Sequence, residues 1–383
     1  MKHIAMVIPG LDRLGGAEFQ VLQLARGLHN RQWRVTVITL SGTGGAAGKQ
    51  LIASGIEYFS LGMHHGLVDP SGWIRFHRWI RREQPDVIHA HLPHAAWIVR
   101  WSRLFAPVRV VIDTVHSSSI GTVGRQLGYR YSNWLVDAVS AVSGSAADAY
   151  CSARMVTNDR MVVIPNGIDT RVWKAASTER RSIRGHLRMK DEFIWLAAGR
   201  LEPVKNYGAL LDAFATLPQS ARLIIAGTGP MEQELRERSS KLGVKPRVEF
   251  LGFERDLLRW MHAADAFVLS SLWEGLPMVL LEAGACELPA VATNVSGSRE
   301  VLIDGETGLL ANSGSSGRLA EAMWMMMRMD PAARVEMGRR ARRCVIARFS
   351  LETVLNQWDH FYSELLVGRP QIARRGQTPC AAH

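Results

Sequence analysis

Four side chains carry types and spacings suited to chemistry: Arg200 and Lys205 in GRLEPVKNY, and Glu274 and Glu282 in SSLWEGLPMVLLEAGACELP. A guanidinium fork and a flexible ammonium on one loop can together hold a diphosphate. The glutamates stand eight positions apart, the first in a loop and the second two turns into the following helix, so both can face one crevice. Pro277 suits the first turn of that helix, whose exposed N–H groups make an anion site. Gly275 lets a ligand approach the backbone. The competing reading is two solvated glutamates and a solvated loop in which Lys205 pairs with Glu202. Apolar, Gly/Pro-punctuated flanks favour function for the glutamates, whereas the two cations by themselves leave the choice even.

Weaker signals accompany these. Gly15 and Gly16 would let backbone amides reach a phosphate or sugar, although no GxGxxG spacing is present. Gly227 and Gly229 in IIAGTGPMEQEL read equally well as a tight strand-to-helix turn. His89, His91 and His94 (HAHLPH), with His116, fall at expected strand ends. A metal site there lacks a carboxylate or cysteine of suitable spacing, so no metal is expected, and His116 reads as a polar group on a cleft wall.

The elements that must position these residues alternate strand and helix, the signature of parallel sheets covered by helices. Apolar runs at 3–9, 34–40, 56–61, 86–91, 108–115, 138–142 and 161–165 read as strands, with helical patterns at 17–28, 72–82, 95–105 and 125–135. Residues 169–191, charge-rich and weakly periodic, read as a linker. A second series follows: strands at 193–198, 222–226, 248–251, 266–270 and 289–293, and helices at 206–216, 231–242, 256–263 and 277–287. Helical patterns at 316–327, 331–348 and 351–366 close the chain, and residues 367–383 read as a disordered tail. The biased run MWMMMRM (323–329) reads as a helix packing adaptable side chains into a core.

A chain of 383 residues accommodates two such domains. With 47% hydrophobic and 21% charged residues it is neither disordered nor fibrous. Four dispersed cysteines form no disulfide framework or zinc knuckle, so a reducing, cytoplasmic setting is expected. No window reaches the ~20 apolar residues of a spanning helix. A net charge of +11 attracts phosphate-rich partners.

In this order, GGAE (15–18), HAH (89–91), IPNGID (164–169), GRLEPVKN (199–206), IIAGTGP (224–230), LGF (251–253), EGLPMVLLE (274–282) and SGSREVLIDGETGLL (296–310) resemble the retaining glycosyltransferases of family 4, over about residues 1–366. The resemblance implies the GT-B fold: two Rossmann-like doubly wound α/β domains facing each other across a cleft, here 1–170 on the acceptor side and 171–350 binding the donor, with the 351–366 helix crossing back. It implies that Arg200 and Lys205 neutralise the diphosphate of a nucleotide-sugar donor, that Glu282 accepts from the ribose hydroxyls, and that Glu274 contacts the sugar. It also places the amides of Met278 and Val279 on the phosphates, Phe253 and Glu254 beside the base, Gly15 and Gly16 on the donor, and His116 near the transferred sugar. The reaction it implies is front-face attack through an oxocarbenium-like state, without metal or other cofactor and without a protein nucleophile. Asn206 departs from the glycine of many relatives.

The expected activity is therefore transfer of a sugar from a UDP- or GDP-linked donor to a glycan or lipid-linked acceptor in cell-surface polysaccharide synthesis. The alternative is a nucleotide-sugar epimerase of the same fold. Nucleic-acid binding rests on charge alone and is not expected. Seven arginines and Trp73, Trp79, Trp97 and Trp101 between residues 71 and 109 suit either an anionic membrane surface, on the inner face of the plasma membrane, or helices packed on a sheet.

Overall fold

The computed structural model describes residues 1–12, 15–64, 69–186, 192–312 and 314–368, and every statement below concerns these. They form two units: residues 1–167 with 351–368, and residues 168–350.

Unit 1 begins with β1 (His3–Ile8), buried at every position, as befits a parallel strand covered on both faces. There follow α1 (Gly16–His29), β2 (Arg34–Thr39), α2 (Gly45–Ala53), β3 (Glu57–Ser60), α3 (Pro70–Glu83), β4 (Val87–His91), α4 (Pro93–Ser102), β5 (Val110–Val115), α5 (Val123–Ser132), β6 (Ala138–Ala141), α6 (Gly144–Ser152) and β7 (Met161–Val163). The sheet order is β3-β2-β1-β4-β5-β6-β7, with parallel pairing such as Ile4↔Val35 and Ile4↔Val87. Alternate residues of β1 feed two cores: Ile4, Met6 and Ile8 on one face, Ala5 and Val7 on the other.

Unit 2 comprises α7 (Ser177–His186), β8 (Phe193–Ala198), α8 (Tyr207–Ala215), β9 (Ala221–Ala226), α9 (Glu232–Lys241), β10 (Val248–Gly252), α10 (Leu257–Ala263), β11 (Ala266–Leu269), α11 (Met278–Ala285), β12 (Ala290–Thr293), α12 (Ser296–Val301), β13 (Gly308–Ala311), α13 (Ser316–Arg328) and α14 (Pro331–Phe349). Its sheet order is β10-β9-β8-β11-β12-β13, again parallel. In each sheet the order reverses once, between β1 and β4 and between β8 and β11, and open α/β sheets bind ligands beyond the strand ends at that point.

The last helix, α15 (Leu351–Val367), packs in unit 1 against α1. Gly27 makes this possible, because a Cβ there would sit 2.4 Å from the Leu355 side chain. The Gln20 amide donates to the Gly167 carbonyl at 2.8 Å and accepts from its N–H at 2.9 Å, pinning the end of the first segment to α1.

Several elements depart from the sequence reading, among them the short helices α6 and α12, which it left unassigned. Helix α2 went unassigned because glycines depress its propensity; Gly48 is required by packing, since its Cβ would lie 2.8 Å from Tyr58. The expected linker contains α7, whose Arg180 and Arg184 bind the two oxygens of Asp265 at 2.5 and 2.8 Å, so its arginines serve a partner some 80 residues away. Strand β13, only four residues long, completes the second sheet beside β12. The segment 369–383, which contains almost all of the expected tail, lies outside the described residues.

Candidate active site

In unit 2 the loops after β8 and β11 meet at the reversal point of the sheet. After β8, the turn Pro203–Lys205 ends at Asn206, whose φ of +50° is left-handed. Asparagine tolerates that conformation better than other non-glycine residues, so the departure at this position keeps the backbone a glycine would give. Lys205 Nζ lies 2.5 Å from Glu274 Oε1, and Ser271 Oγ donates to the same oxygen at 2.6 Å. Ser270 Oγ donates to the Lys205 carbonyl at 2.8 Å, and the Leu272 N–H to that of Val204 at 2.8 Å. Thr293 Oγ1, at the end of β12, donates to the Ser271 carbonyl at 2.6 Å. A Cβ on Gly297 of α12 would stand 2.7 Å from the Glu274 Cβ and carbonyl oxygen, so α12 closes on this loop through a glycine. Lys205 and Glu274 are thus a mostly buried pair clamped from three strands.

The alternative pairing of Lys205 with Glu202 is not made: Arg200, exposed, takes Glu202 at 2.8 Å and does not join Lys205 and Glu274. Such a solvated pair is worth at most about 1 kcal/mol, and a stronger anion can displace it.

Glu282 sits on α11, whose first residues are Met278 and Val279. Its carboxyl has no hydrogen-bond or ion-pair partner among the described residues, and burial pushes its pKa up to about 7. By accessible surface the residue is half-buried and keeps some solvent contact. The same environment, with Glu282 next in importance, raises the Cys286 thiol to about 12. Tyr207, buried and near Glu274, is likewise raised.

Beyond β10, Phe253 is exposed, whereas Glu254 is committed to its own loop, accepting from the Asp256 N–H at 2.8 Å and Trp260 Nε1 at 3.0 Å. Those bonds hold its carboxyl below the ordinary range. Gly227 and Gly229 serve packing: their Cβ atoms would lie 1.9 Å from the Gly199 carbonyl oxygen and 2.4 Å from that of Leu201. The two βα turns are nested, which favours the turn reading of that glycine pair.

In unit 1, Gly15 precedes α1 and donates its N–H to Glu18 Oε2 at 3.0 Å, while Gly16 has open space where a Cβ would stand. His89, His91 and His116 come together; His94 stands apart, exposed at the start of α4. His89 Nδ1 contacts the Tyr362 hydroxyl at 2.7 Å and Nε2 contacts Thr114 Oγ1 at 2.6 Å. Thr114 Oγ1 in turn meets Ser140 Oγ at 2.5 Å, and His91 Nδ1 meets His116 Nε2 at 3.2 Å. Burial lowers all three imidazoles, His89 to about 3 and His116 to about 4, so they are neutral at pH 7. His91 Nε2 and His116 Nδ1 are buried without partners among the described residues, and both rings line a small recess beside Gln20, Thr114, Asn166 and Trp358.

Sequence reasoning missed Ser271, Thr293 and Gly297, which hold Glu274, and Tyr362, which holds His89 from 273 positions away. The hydroxyl pair preceding the Glu274 loop was a visible signal; the contact of Tyr362 had none.

A family model described as "Glycosyltransferase Family 4" matches residues 14–172, and one described as "Glycosyl transferases group 1" matches residues 179–343. The chain is 28% identical over 295 residues to N-acetyl-alpha-D-glucosaminyl L-malate synthase of Bacillus anthracis, covering 75% of this chain and 76% of that protein. It is 23% identical over 327 residues to UDP-Gal:alpha-D-GlcNAc-diphosphoundecaprenol alpha-1,3-galactosyltransferase of Escherichia coli, covering 79% and 81%. HepE of Anabaena, solved in complex with UDP, superposes with a TM-score of 0.83 at 24% identity over 95% of this chain and 100% of that one, which shows a shared fold.

Proposed function

This chain belongs to the group 1 glycosyltransferases, and within that membership we propose that it transfers a sugar, with retention of anomeric configuration and without a metal, from a UDP- or GDP-linked donor to a glycan or lipid-linked sugar acceptor. The observation that carries this reading is the Lys205–Glu274 pair clamped by Ser271 at the reversal point of the unit 2 sheet, on the unit that also holds the partnerless Glu282.

Departure of a nucleoside diphosphate builds negative charge on its terminal phosphate. Lys205, the amides opening α11 and Arg200, released from Glu202, stabilise that charge more than the ground state, which is where rate acceleration originates. With cations and amides supplying the field, a divalent metal is dispensable. Glu274 orients sugar hydroxyls, while Glu282 waits as an unsatisfied acceptor suited to a vicinal diol such as ribose. Phe253 offers an exposed face to a base, with Glu254 holding the loop that presents it. In unit 1 we assign His116, neutral at pH 7, a hydrogen-bonding role toward the sugar, and Gly15 and Gly16 an unobstructed backbone approach to the donor. The acceptor hydroxyl loses its proton to the departing phosphate as the glycosidic bond forms on the same face.

The names of relatives support a lipid-linked acceptor, since the E. coli protein is named for a diphosphoundecaprenol substrate. No helix among the described residues is long and apolar enough to cross a membrane; work on such an acceptor would place the protein at the cytoplasmic membrane face, in cell-surface polysaccharide synthesis. The test is nucleoside diphosphate release from UDP- and GDP-sugars, with and without membrane lipid extract, in EDTA, beside Lys205→Ala. Acceptor-dependent release that survives EDTA, vanishes in the variant and yields a retained anomer by NMR is the expected result. Loss in EDTA with recovery on adding Mn²⁺ overturns metal independence, and an epimerised donor without diphosphate release moves the reading to an epimerase.

A further inference from the structure

We propose that the outer face of α5 and the turn after it is a docking surface for an anionic lipid bilayer, a reading that rests on the lipid-linked acceptor for its purpose but on the surface itself for its evidence. In the arginine- and tryptophan-rich segment 71–109 most of the tryptophans are not free as apolar anchors, although Ile74, Leu104 and Phe105 are exposed there. Trp79 is buried, and Trp73 and Trp101 are largely covered, Trp73 against His77 and Phe105. Of its four tryptophans only Trp97 is exposed.

A set of exposed apolar side chains aligned on one helix face follows one element later. Val123, Leu127 and Tyr131 fall at i, i+4 and i+8 of α5, within an arc of about 80°, and Trp134 extends the stripe in the next turn. With Trp97, which abuts Gly128 of α5, these five are between 45 and 70% exposed. The opposite face of α5 is bolted down. Arg100 and Asp113, both buried, pair at 2.9 Å, and Arg100 Nη1 donates to the Tyr129 carbonyl at 3.1 Å and Ser132 Oγ at 3.0 Å. The stripe is therefore a rigid platform whose orientation is set by a buried ion pair.

Its charge selects the occupant. Arg130 is exposed beside the stripe and Arg125 lies on the same helix, while no acidic residue occurs between Asp113 and Asp137. Aromatic and aliphatic side chains flanked by cations on an element that itself carries no acid, with Asp159 exposed only beside its far end, suit the headgroup boundary of an anionic leaflet. A second copy of this chain would set arginine against arginine.

The experiment is vesicle flotation of the full chain with phosphatidylcholine alone and with added phosphatidylglycerol. Wild type is expected to float only with the anionic vesicles, less so at high salt. Leu127→Gln/Trp134→Gln and Arg130→Glu should each weaken binding on the order of tenfold, while Leu242→Gln, an exposed leucine of unit 2, binds as wild type. All variants should transfer to a water-soluble sugar acceptor as wild type does. Absence of flotation by wild type, or equal flotation by the α5 variants, overturns the proposal; with transfer to the soluble acceptor intact, the transferase reading survives that failure. Self-association of wild type that the α5 variants abolish, with vesicle binding unchanged, assigns the face to a second copy and also overturns it.

Discussion

Replacing Glu282 with glutamine should make the protein more stable relative to wild type as the pH rises, even as it damages nucleotide binding. Burial raises this carboxyl from the ordinary 4.5 to about 7 with no cation or donor to offset it. A folded-state pKa above the unfolded one means that the native state holds a proton the unfolded chain has released. Stability contributed by this site is therefore full below about pH 4.5 and declines until about pH 7, where the ionised form dominates in both states. At about 1.4 kcal/mol per pH unit of separation, the total is about 3 kcal/mol. Glutamine cannot ionise, so this dependence disappears, while any fixed packing cost of the amide is the same at every pH. The quantity to measure is the difference between variant and wild type, because every other titrating group cancels. In urea or thermal unfolding, the variant should gain about 3 kcal/mol relative to wild type between about pH 4.5 and about pH 8, or about 6–12 °C for a unit of this size. A difference flat across that range would refute the claim that Glu282 is a desolvated, partnerless acid.

The same group governs ligand binding: if a ribose diol donates to the ionised carboxylate, affinity for UDP or GDP should fall as pH drops below about 7, approaching tenfold per unit, and calorimetry should show the slope abolished in Glu282→Gln. Lys205→Ala strands Glu274 in a mostly buried position and removes a diphosphate cation; nucleoside diphosphate affinity by the same method should fall by tenfold or more, about 1.4 kcal/mol, and an unchanged affinity would remove Lys205 from the site. Gly227→Ala forces a Cβ to 1.9 Å from the Gly199 carbonyl at a φ of +142°, so a loss of more than about 2 kcal/mol is expected in unfolding experiments. Arg100→Leu leaves Asp113 buried without its cation and should cost about 3–5 kcal/mol, with Asp113→Asn in the same chain recovering part of it; full stability of the single variant would contradict the buried pair.

Much of the second sheet was legible because local chemistry writes it. Short apolar runs such as FIWLAA and AFVL read as strands covered on both faces because they are too short for a buried helix and because glycine, proline and charged loops mark where each ends. Types and spacing of Lys205, Glu274 and Glu282 likewise marked them as residues to watch, since few arrangements put cations and acids in apolar, turn-rich surroundings by accident. The partner of Lys205 was decided elsewhere. Glu202 is three residues away and Glu274 sixty-nine, yet β8 and β11 are neighbours in the sheet, and only that adjacency brings the distant carboxylate to 2.5 Å. Desolvation of Glu282 is equally a property of what packs around α11, for a carboxyl has no ordinary or raised pKa until its surroundings exist. The tryptophans of α3 and α4 make the same point. Composition shows that they are there, but which of them face the core and which face water depends on how each helix lies on the sheet, so the exposed apolar stripe emerged on α5, where no sequence pattern had drawn notice. Sequence determines element type and residue chemistry because these depend on near neighbours; pairing, burial and charge state depend on contacts across tens to hundreds of residues, and only tertiary structure decides them.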